Sequence, residues 1–151
     1  MRTCLPKMCF LLVAALGGCR KEVDLEQRGL FVVRNQSGRA VTLRVFRTQD
    51  RRKAPLALSV PNGQQVERTA NGGAGAIAYP ELFFQGDSVR FTFEDGKQLV
   101  HFCTQEQQLS GQCAPAGHNI LSLKEYAQEP ISEAYDRYTY TLTPADYATA
   151  R

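Results

Sequence analysis

Alternation of apolar and polar residues is the feature that most restricts how this chain can fold. Within segment 40–46 every second residue is apolar, namely Val41, Leu43 and Val45, and polar side chains lie between them. Successive side chains of an extended strand point to opposite faces, so this spacing places the three apolar residues on one side. The segment is therefore predicted to be a half-buried antiparallel strand.

Turn-forming residues join strands of this kind into two predicted hairpins. Asn35-Gln36-Ser37-Gly38 separates a strand at 30–35 from the strand at 40–46, and Asp95-Gly96 separates a second pair. Asn and Gly adopt positive φ angles at low cost, which tight turns between antiparallel strands require. We expect each turn to pair the strands on either side of it.

The remaining segments predict more short strands and no long helix. Strands are expected at 56–60, 64–69, 87–94, 97–103, 118–123 and 135–142, a flexible loop at 71–76 and an irregular segment at 125–133. Thr143-Pro144-Ala145-Asp146 has the capping residues of a short helix. About seven or eight strands predict a single all-β domain at 29–151, an antiparallel β-sandwich. A lipocalin-like closed barrel is the rival architecture.

The N-terminal residues have the composition of a targeting segment. Arg2 and Lys7 precede the apolar run 8–16, which is too short to span a bilayer. The run ends at Leu16-Gly17-Gly18-Cys19, which resembles the lipobox of bacterial lipoproteins. The resemblance implies that residues 1–18 are a cleaved signal peptide and that the Cys19 thiol carries diacylglycerol. An ordinary secretory signal that happens to end before a cysteine is the alternative.

The mature chain is expected to start with a tether and to be nearly neutral. Residues 19–28 contain the lipidated cysteine and a charged stretch without an apolar period, which is typical of a linker. Removal of residues 1–18 leaves 16 basic and 15 acidic side chains. This balance provides no basic face, so nucleic acid is not expected as a partner.

Three loose motifs add a second resemblance. They are 32–38 (Val-Val-Arg-Asn-Gln-Ser-Gly), 93–97 (Phe-Glu-Asp-Gly-Lys) and 138–147, which begins Tyr-Thr-Tyr-Thr-Leu. In this order they resemble segments of the small uncharacterised lipoproteins of Bacteroidota. The resemblance implies a β domain anchored to the bacterial outer membrane, on its periplasmic or cell-surface face, and transfers no catalytic residue. The expected partners are the membrane, through the lipid on Cys19, and another envelope protein or an extracellular polymer.

The two cysteines outside the signal and the lipobox are flanked by the chain's only two histidines. Cys103 and Cys113 form an even pair, which an exported domain tends to oxidise to a disulfide. His101 and His118 lie beside them, so the four side chains could also supply the ligands of a tetrahedral zinc ion. The spacing matches no common zinc module, and the disulfide is the preferred prediction.

Tyrosines are concentrated near the C-terminus, and no catalytic motif accompanies them. Tyr126, Tyr135, Tyr138 and Tyr140 are a candidate binding surface, although aromatic residues also favour the core face of strands. The sequence contains no nucleophile elbow and no metal-binding helix motif. The expected function is a non-enzymatic binding or interaction module without a cofactor. A small-ligand-binding β-barrel lipoprotein is the alternative.

Overall fold

A computed structural model describes residues 26–47, 56–74, 76–110 and 112–151. The predicted signal peptide, Cys19 and the predicted tether up to residue 25 lie outside the described residues. The described residues form eight strands, three short α-helices and one 3₁₀ helix, Leu123–Glu125. In chain order the strands and α-helices are β1 (Glu26–Asn35), β2 (Val41–Phe46), β3 (Leu56–Val60), β4 (Gln65–Ala74), α1 (Pro80–Phe84), β5 (Ser88–Phe93), β6 (Gln98–Phe102), α2 (Gln105–Ser110), β7 (Ala127–Ser132), β8 (Tyr135–Leu142) and α3 (Pro144–Thr149). No helix among these residues is long and apolar enough to cross a membrane.

The strands form two four-stranded sheets, and this confirms the β-sandwich. The first sheet has the order β4-β1-β8-β7 and the second has the order β3-β2-β5-β6. Each sheet keeps two edge strands, so the described strands do not close into the rival lipocalin-like barrel. The neighbouring strands are antiparallel except for β1 and β8, which run parallel.

The second sheet follows the alternation of the sequence closely. Val41, Leu43 and Val45 of β2 are buried, as predicted, and β5 buries Val89 and its apolar neighbours at the same spacing. The Asp95-Gly96 turn connects β5 to β6, which pair antiparallel, and Gly96 has a φ of 89°. The second predicted hairpin is therefore confirmed.

The first predicted hairpin is wrong, because β1 and β2 belong to different sheets. β1 pairs with β4 and β8, whereas β2 pairs with β3 and β5. The buried side chain of Asn35 stabilises the segment that passes from the first sheet to the second. Its Nδ2 donates to the carbonyl oxygens of Arg39 at 2.7 Å and Val60 at 2.8 Å. The turn residues reverse the chain as expected, but their local chemistry does not select the strand that pairs with β1.

The first sheet extends into segments that were expected to be irregular. β1 begins at Glu26, inside the expected tether, because Gln27 pairs with Gly73 of β4. β4 therefore continues to Ala74, and the flexible loop predicted from residue 71 is wrong over residues 71–74. Gly72 lies in this stretch, where a Cβ atom would collide with the backbone of residues 76–78. Gly72 therefore permits a close approach of β4 to the segment 76–78.

Two further predictions near the C-terminal third are wrong. Segment 118–123 is not a strand: its turn is held by Asn119, whose Nδ2 donates to the Ala114 carbonyl at 2.9 Å. Segment 125–133 contains β7, which pairs with β8 and exposes all six of its residues. An edge strand without a buried face has no apolar alternation, and it tolerates Pro130, so its sequence resembles a loop.

Aromatic side chains fill the space between the two sheets. Phe31 of β1 stacks on Tyr138 of β8, with ring centroids 5.1 Å apart, and meets Tyr126 edge-on at 5.7 Å. The Tyr126 ring lies 5.5 Å from that of Tyr140. Burial of aromatic rings contributes strongly to stability. This cluster links the central strands of the first sheet to the segment that precedes β7.

Candidate functional site

A pocket of about 520 Å³ lies at the free edge of β6. Two segments flank this edge. One is the segment 115–118. The other contains α3 and continues to Arg151, which exchanges two backbone hydrogen bonds with Gln98 of β6. The lining residues come from all three segments and are Leu99, His101, Pro115, Ala116, His118, Thr143, Ala145, Asp146 and Thr149.

The disulfide determines where the first of these segments returns to the sheet. Cys103 and Cys113 are bonded as predicted, with their Cα atoms 4.7 Å apart. Directly after the bridge, Ala114 exchanges two backbone hydrogen bonds with Phe102 at the end of β6. The chain therefore leaves the bridge alongside β6, and residues 115–118 form one wall of the pocket.

His101 is the buried member of the site. It lies on the core face of β6 with a relative exposure of 1 %, and its ring meets Phe91 edge-on at 4.9 Å. Its Nδ1 accepts a hydrogen bond from the backbone N–H of Ile120 at 3.0 Å. Desolvation lowers the pKa of His101 to about 4, against an opposing effect of Asp146. The ring is therefore neutral near pH 7, and the proton of the neutral imidazole is on Nε2.

The Nε2 atom of His101 opens onto the pocket. Among the described residues, no side chain or backbone group bonds to this nitrogen, and no sealed side-chain nitrogen or oxygen lacks a partner. Because Nε2 of His101 has no hydrogen-bond partner and is not among the buried atoms that lack one, it is accessible. His101 lines the cavity, so this nitrogen is the ring atom that can face it. His101 therefore presents one N–H donor to the pocket.

His118 is the half-exposed member and is held by Asp146. Its Nδ1 lies 2.7 Å from Asp146 Oδ1, and its ring stacks on Tyr140 with centroids 4.5 Å apart. The carboxylate can only accept, so Nδ1 of His118 carries a proton. The Tyr140 hydroxyl then donates to the backbone oxygen of His118 at 3.3 Å. Burial raises the pKa of the Tyr140 phenol well above its ordinary value, so this donor keeps its proton.

Asp146 serves two structures at once. It occupies the third position of α3, and its Oδ2 accepts hydrogen bonds from both the N–H and the hydroxyl of Thr143, each at 2.7 Å. This confirms the predicted capping residues of the short helix. The other oxygen, Oδ1, remains for His118, so the cap of α3 also orients the imidazole. Asp146 is buried, with a relative exposure of 6 %.

The two threonine hydroxyls of the lining both donate to Asp146. The hydroxyl of Thr143 donates to Asp146, and that of Thr149 donates to the backbone oxygen of Asp146 at 2.9 Å. Neither is hydrogen-bonded to an imidazole, as an activated nucleophile must be. The site therefore presents the donor of His101 and the Nε2 atom of His118, which bonds to no other described residue and is an acceptor in the neutral form of the ring.

The described geometry does not bring the four predicted zinc ligands together as two thiolates and two imidazoles. Cys103 and Cys113 are joined to each other, so they do not supply thiolates beside His101 and His118. Within the described ranges, no group of three or more His, Cys, Asp and Glu side chains has an arrangement that could hold a metal ion. The sequence pattern did identify two side chains of the pocket, although for a different chemistry.

The tyrosine surface predicted from the sequence is largely interior. Tyr126, Tyr138 and Tyr140 are all buried, and the hydroxyl of Tyr126 donates to the Ile120 carbonyl at 2.5 Å. Tyr135 is half-buried, and its hydroxyl lies 3.4 Å from that of Thr69. The four tyrosines therefore do not form a binding face, because β8 turns two of them toward the opposite sheet.

Sequence reasoning missed Asp146 and the lining of the pocket. Asp146 was identified only as a helix-capping acid, and its partner His118 lies 28 residues away. The chain matches no protein-family model, no curated protein and no solved structure. The function is therefore inferred from the geometry of the site.

Proposed function

We propose that this protein is a lipid-anchored envelope protein that binds a small ligand, without catalysis, in the pocket lined by His101 and His118. The observation that carries the proposal is the convergence of two oriented imidazoles on one cavity with apolar walls. A volume of about 520 Å³ lies in the range typical of ligand sites. Such sites combine mostly apolar walls with a few positioned polar groups.

The pattern of hydrogen bonds in the pocket supports binding rather than turnover. The hydroxyls of Thr143 and Thr149 both donate to Asp146, and Cys103 and Cys113 are oxidised to a disulfide. Covalent catalysis by Ser, Thr or Cys requires a nucleophile in contact with a base. The described lining residues contain no such pair, so the two imidazoles are best explained as recognition groups.

The anchor rests on the sequence Leu16-Gly17-Gly18-Cys19 and on the start of β1. Only six residues separate Cys19 from Glu26, the first residue of β1. At about 3.5 Å per residue they reach roughly 20 Å. A lipid on Cys19 would therefore keep the sandwich close to the bilayer. We place the protein at the outer membrane, with its bound ligand drawn from the adjoining compartment.

The anchor is tested by metabolic labelling with an alkyne analogue of palmitate. Cells that express the full chain are expected to label it, and Cys19→Ser is expected to abolish the label. Cys9→Ser, which changes a cysteine inside the signal, is the matched control and should label normally. Density-gradient fractionation then locates the labelled protein, and protease added to intact cells identifies the face. Equal labelling of Cys19→Ser and the wild type would overturn the anchor.

Binding in the pocket is tested by filling it. Ala145 lines the pocket, whereas Ala148 is an exposed alanine of the same helix that does not. Ligand-observed NMR of the detergent-solubilised protein with a fragment library of acids, amines, amides and alcohols measures binding. Fragments that bind the wild type and Ala148→Leu but not Ala145→Leu would support the proposal. The absence of any such fragment would overturn it.

The outer face of the first sheet is the second candidate, for the predicted polymer or protein partner. A polar groove of about 480 Å³ crosses it, lined by Val32, Arg34, Gln65, Glu67, Ala127, Glu129, Arg137, Thr139 and Thr141. Charged and hydroxyl groups along an open strand surface suit a polar polymer. Co-sedimentation with an insoluble polysaccharide, such as cellulose or chitin, tests it. Arg34→Ala with Arg137→Ala should reduce the bound fraction, and Arg44→Ala with Arg90→Ala on the other sheet should not. Equal losses, or no sedimentation, would overturn this candidate.

A further inference from the structure

We propose that the pocket selects an uncharged ligand group that both accepts and donates a hydrogen bond, of which the carboxamide is the simplest example. This inference rests on the proposed function, because it names the ligand class of the same site. It follows from the direction in which each imidazole is held. The two rings line one cavity but are oriented by different partners.

His101 is held as a donor by the backbone. The N–H of Ile120 donates to Nδ1, and a backbone amide cannot reverse this role. The imidazole proton must then be on Nε2, which faces the cavity. Because the ring is almost completely buried, a ligand acceptor that pairs with this N–H does so largely away from water. Such a hydrogen bond is costly to leave unmade.

His118 is oriented by a carboxylate, which bonds Nδ1 and leaves Nε2 for the ligand. Oδ1 of Asp146 accepts a hydrogen bond from the N–H at Nδ1 of His118, since Oδ2 already accepts two hydrogen bonds from Thr143. In the neutral form of the ring, the lone pair is therefore on Nε2. The stacked ring of Tyr140 limits rotation of the imidazole about its side-chain bonds. A ligand N–H or O–H can donate to this nitrogen.

Charged groups fit this pair less well. A carboxylate accepts from His101 but has no proton for His118, and the buried carboxylate of Asp146 repels it. An ammonium group donates to His118 but leaves the N–H of His101 without an acceptor. A carboxamide satisfies both imidazoles without bringing a charge into the cavity. Leu99, Pro115, Ala116 and Ala145 provide apolar contacts for the rest of the ligand.

The test uses the fact that the chain has two histidines and that both line the pocket. The full protein, solubilised in detergent and carrying a purification tag without histidine, is labelled with ¹⁵N only at histidine. Long-range ¹H–¹⁵N spectra near pH 7 then report the two imidazoles alone. We expect the Nε2-protonated tautomer for His101 and a protonated Nδ1 for His118. An Nδ1-protonated His101, or a proton on Nε2 of His118, would overturn the inference before any ligand is added.

Three probes with the same apolar body are then compared: cyclohexanecarboxamide, cyclohexanecarboxylate and cyclohexylmethylammonium. The carboxamide is expected to shift both imidazole signals and to bind at least about tenfold more tightly than either charged probe. His118→Phe keeps a ring on Tyr140 but removes the acceptor, and should weaken carboxamide binding by about tenfold. Ala148→Leu is the control and should not change it.

The outcomes distinguish a failure of the inferred ligand class from a failure of the pocket as a ligand site. A carboxylate or an ammonium that binds more tightly than the carboxamide would overturn the inference, while the pocket would remain a ligand site. If none of the three probes binds, the inference falls, and the fragment library with Ala145→Leu decides the proposed function independently. Carboxamide binding that His118→Phe leaves unchanged would also overturn the inference.

Discussion

The turn at Asn35 and the pocket at His101 both contain buried polar side chains, yet they use them differently. Asn35 is completely buried and makes four hydrogen bonds: two from Nδ2 to carbonyl oxygens, and two to Oδ1 from the N–H and hydroxyl of Ser37. These satisfy its full capacity. His101 is equally buried but commits only Nδ1, and its Nε2 faces a cavity.

This difference separates an architectural residue from a recognition residue. A buried polar group with every hydrogen bond made inside the protein can only hold the fold together. A buried polar group that makes one hydrogen bond inside the protein and keeps a second polar atom accessible is oriented by the protein and can still bond a ligand. The comparison predicts that the Asn35 turn contributes more to stability than the pocket does, and that ligand binding depends on the pocket alone.

The largest expected effect is at the turn. Asn35→Ala leaves at least the Val60 carbonyl and the Ser37 N–H without their partner, at about 1–3 kcal/mol each. We expect the free energy of unfolding to fall by about 4 kcal/mol in urea titrations. Asn62→Ala removes one exposed acceptor, that of the Gly38 N–H, and is the control, with an expected change below about 1 kcal/mol. Similar effects of the two variants would break the comparison.

The next effect concerns pH and His101. As the pH falls below 6.5, the unfolded chain binds a proton at this residue, while the folded protein does not until its pKa of about 4. Folding therefore loses up to about 3 kcal/mol between these pH values, at 1.36 kcal/mol per pH unit.

Urea titrations of the wild type and of His101→Gln from pH 7 to pH 4 measure this loss as the difference between the two profiles. The wild type should lose more stability toward acid than the variant does. Parallel profiles, or an NMR titration of His101 with a midpoint near 6.5, would contradict the burial argument.

Removal of the disulfide tests how the pocket wall is held. Cys103 and Cys113 are ten residues apart, and closure of such a loop is worth about 2–3 kcal/mol in the chain-entropy model. We expect Cys103→Ser with Cys113→Ser to lower the free energy of unfolding by this amount. A reductant should lower the stability of the wild type similarly and leave the double variant unchanged. Sensitivity of the variant to reductant would show that the bridge is not the source of the effect.

The smallest expected change in stability is at His118. The ring is half-exposed, and without it Asp146 still accepts two hydrogen bonds from Thr143. His118→Ala should therefore cost only about 1 kcal/mol in urea titrations. A cost as large as that of Asn35→Ala would place His118 among the architectural residues and end the distinction between the two regions.

The sequence predicted the individual strands of the second sheet and its β5–β6 hairpin well, because these depend on local patterns, although it did not predict that β2 pairs with β5. β5 and β6 are joined by Asp95-Gly96, and each strand of this sheet packs one face on the core, so apolar spacing and turn residues agree. The first sheet was predicted poorly for the opposite reason. Its parallel pair joins Val32 to Thr139, residues far apart in the chain, and no local pattern specifies such a partner.

The site was predicted in part. Placing His101 and His118 beside the cysteine pair correctly grouped both histidines, because the bridge and the β6 strand keep them close. The disulfide was the preferred prediction and zinc the alternative, and the bridge was predicted correctly. The sequence did not show that Asp146 would bind His118. The sequence left the tyrosines open between a binding surface and the core face of strands, and the core face is the one observed for three of them. Exposure depends on what covers a strand. That information is not local to residues 126–140.

By itself, the sequence determined the strand-forming alternation, the turn and capping residues, the pair of cysteines and the lipobox-like segment. These depend on interactions between residues that are close along the chain, or on composition. Only the tertiary structure decided that Asn35 crosses between sheets, that β1 lies parallel to β8, and that Asp146 orients His118 beside His101. Each of these requires groups distant in sequence to be desolvated together, and their hydrogen bonds gain strength only in that shared, water-poor environment.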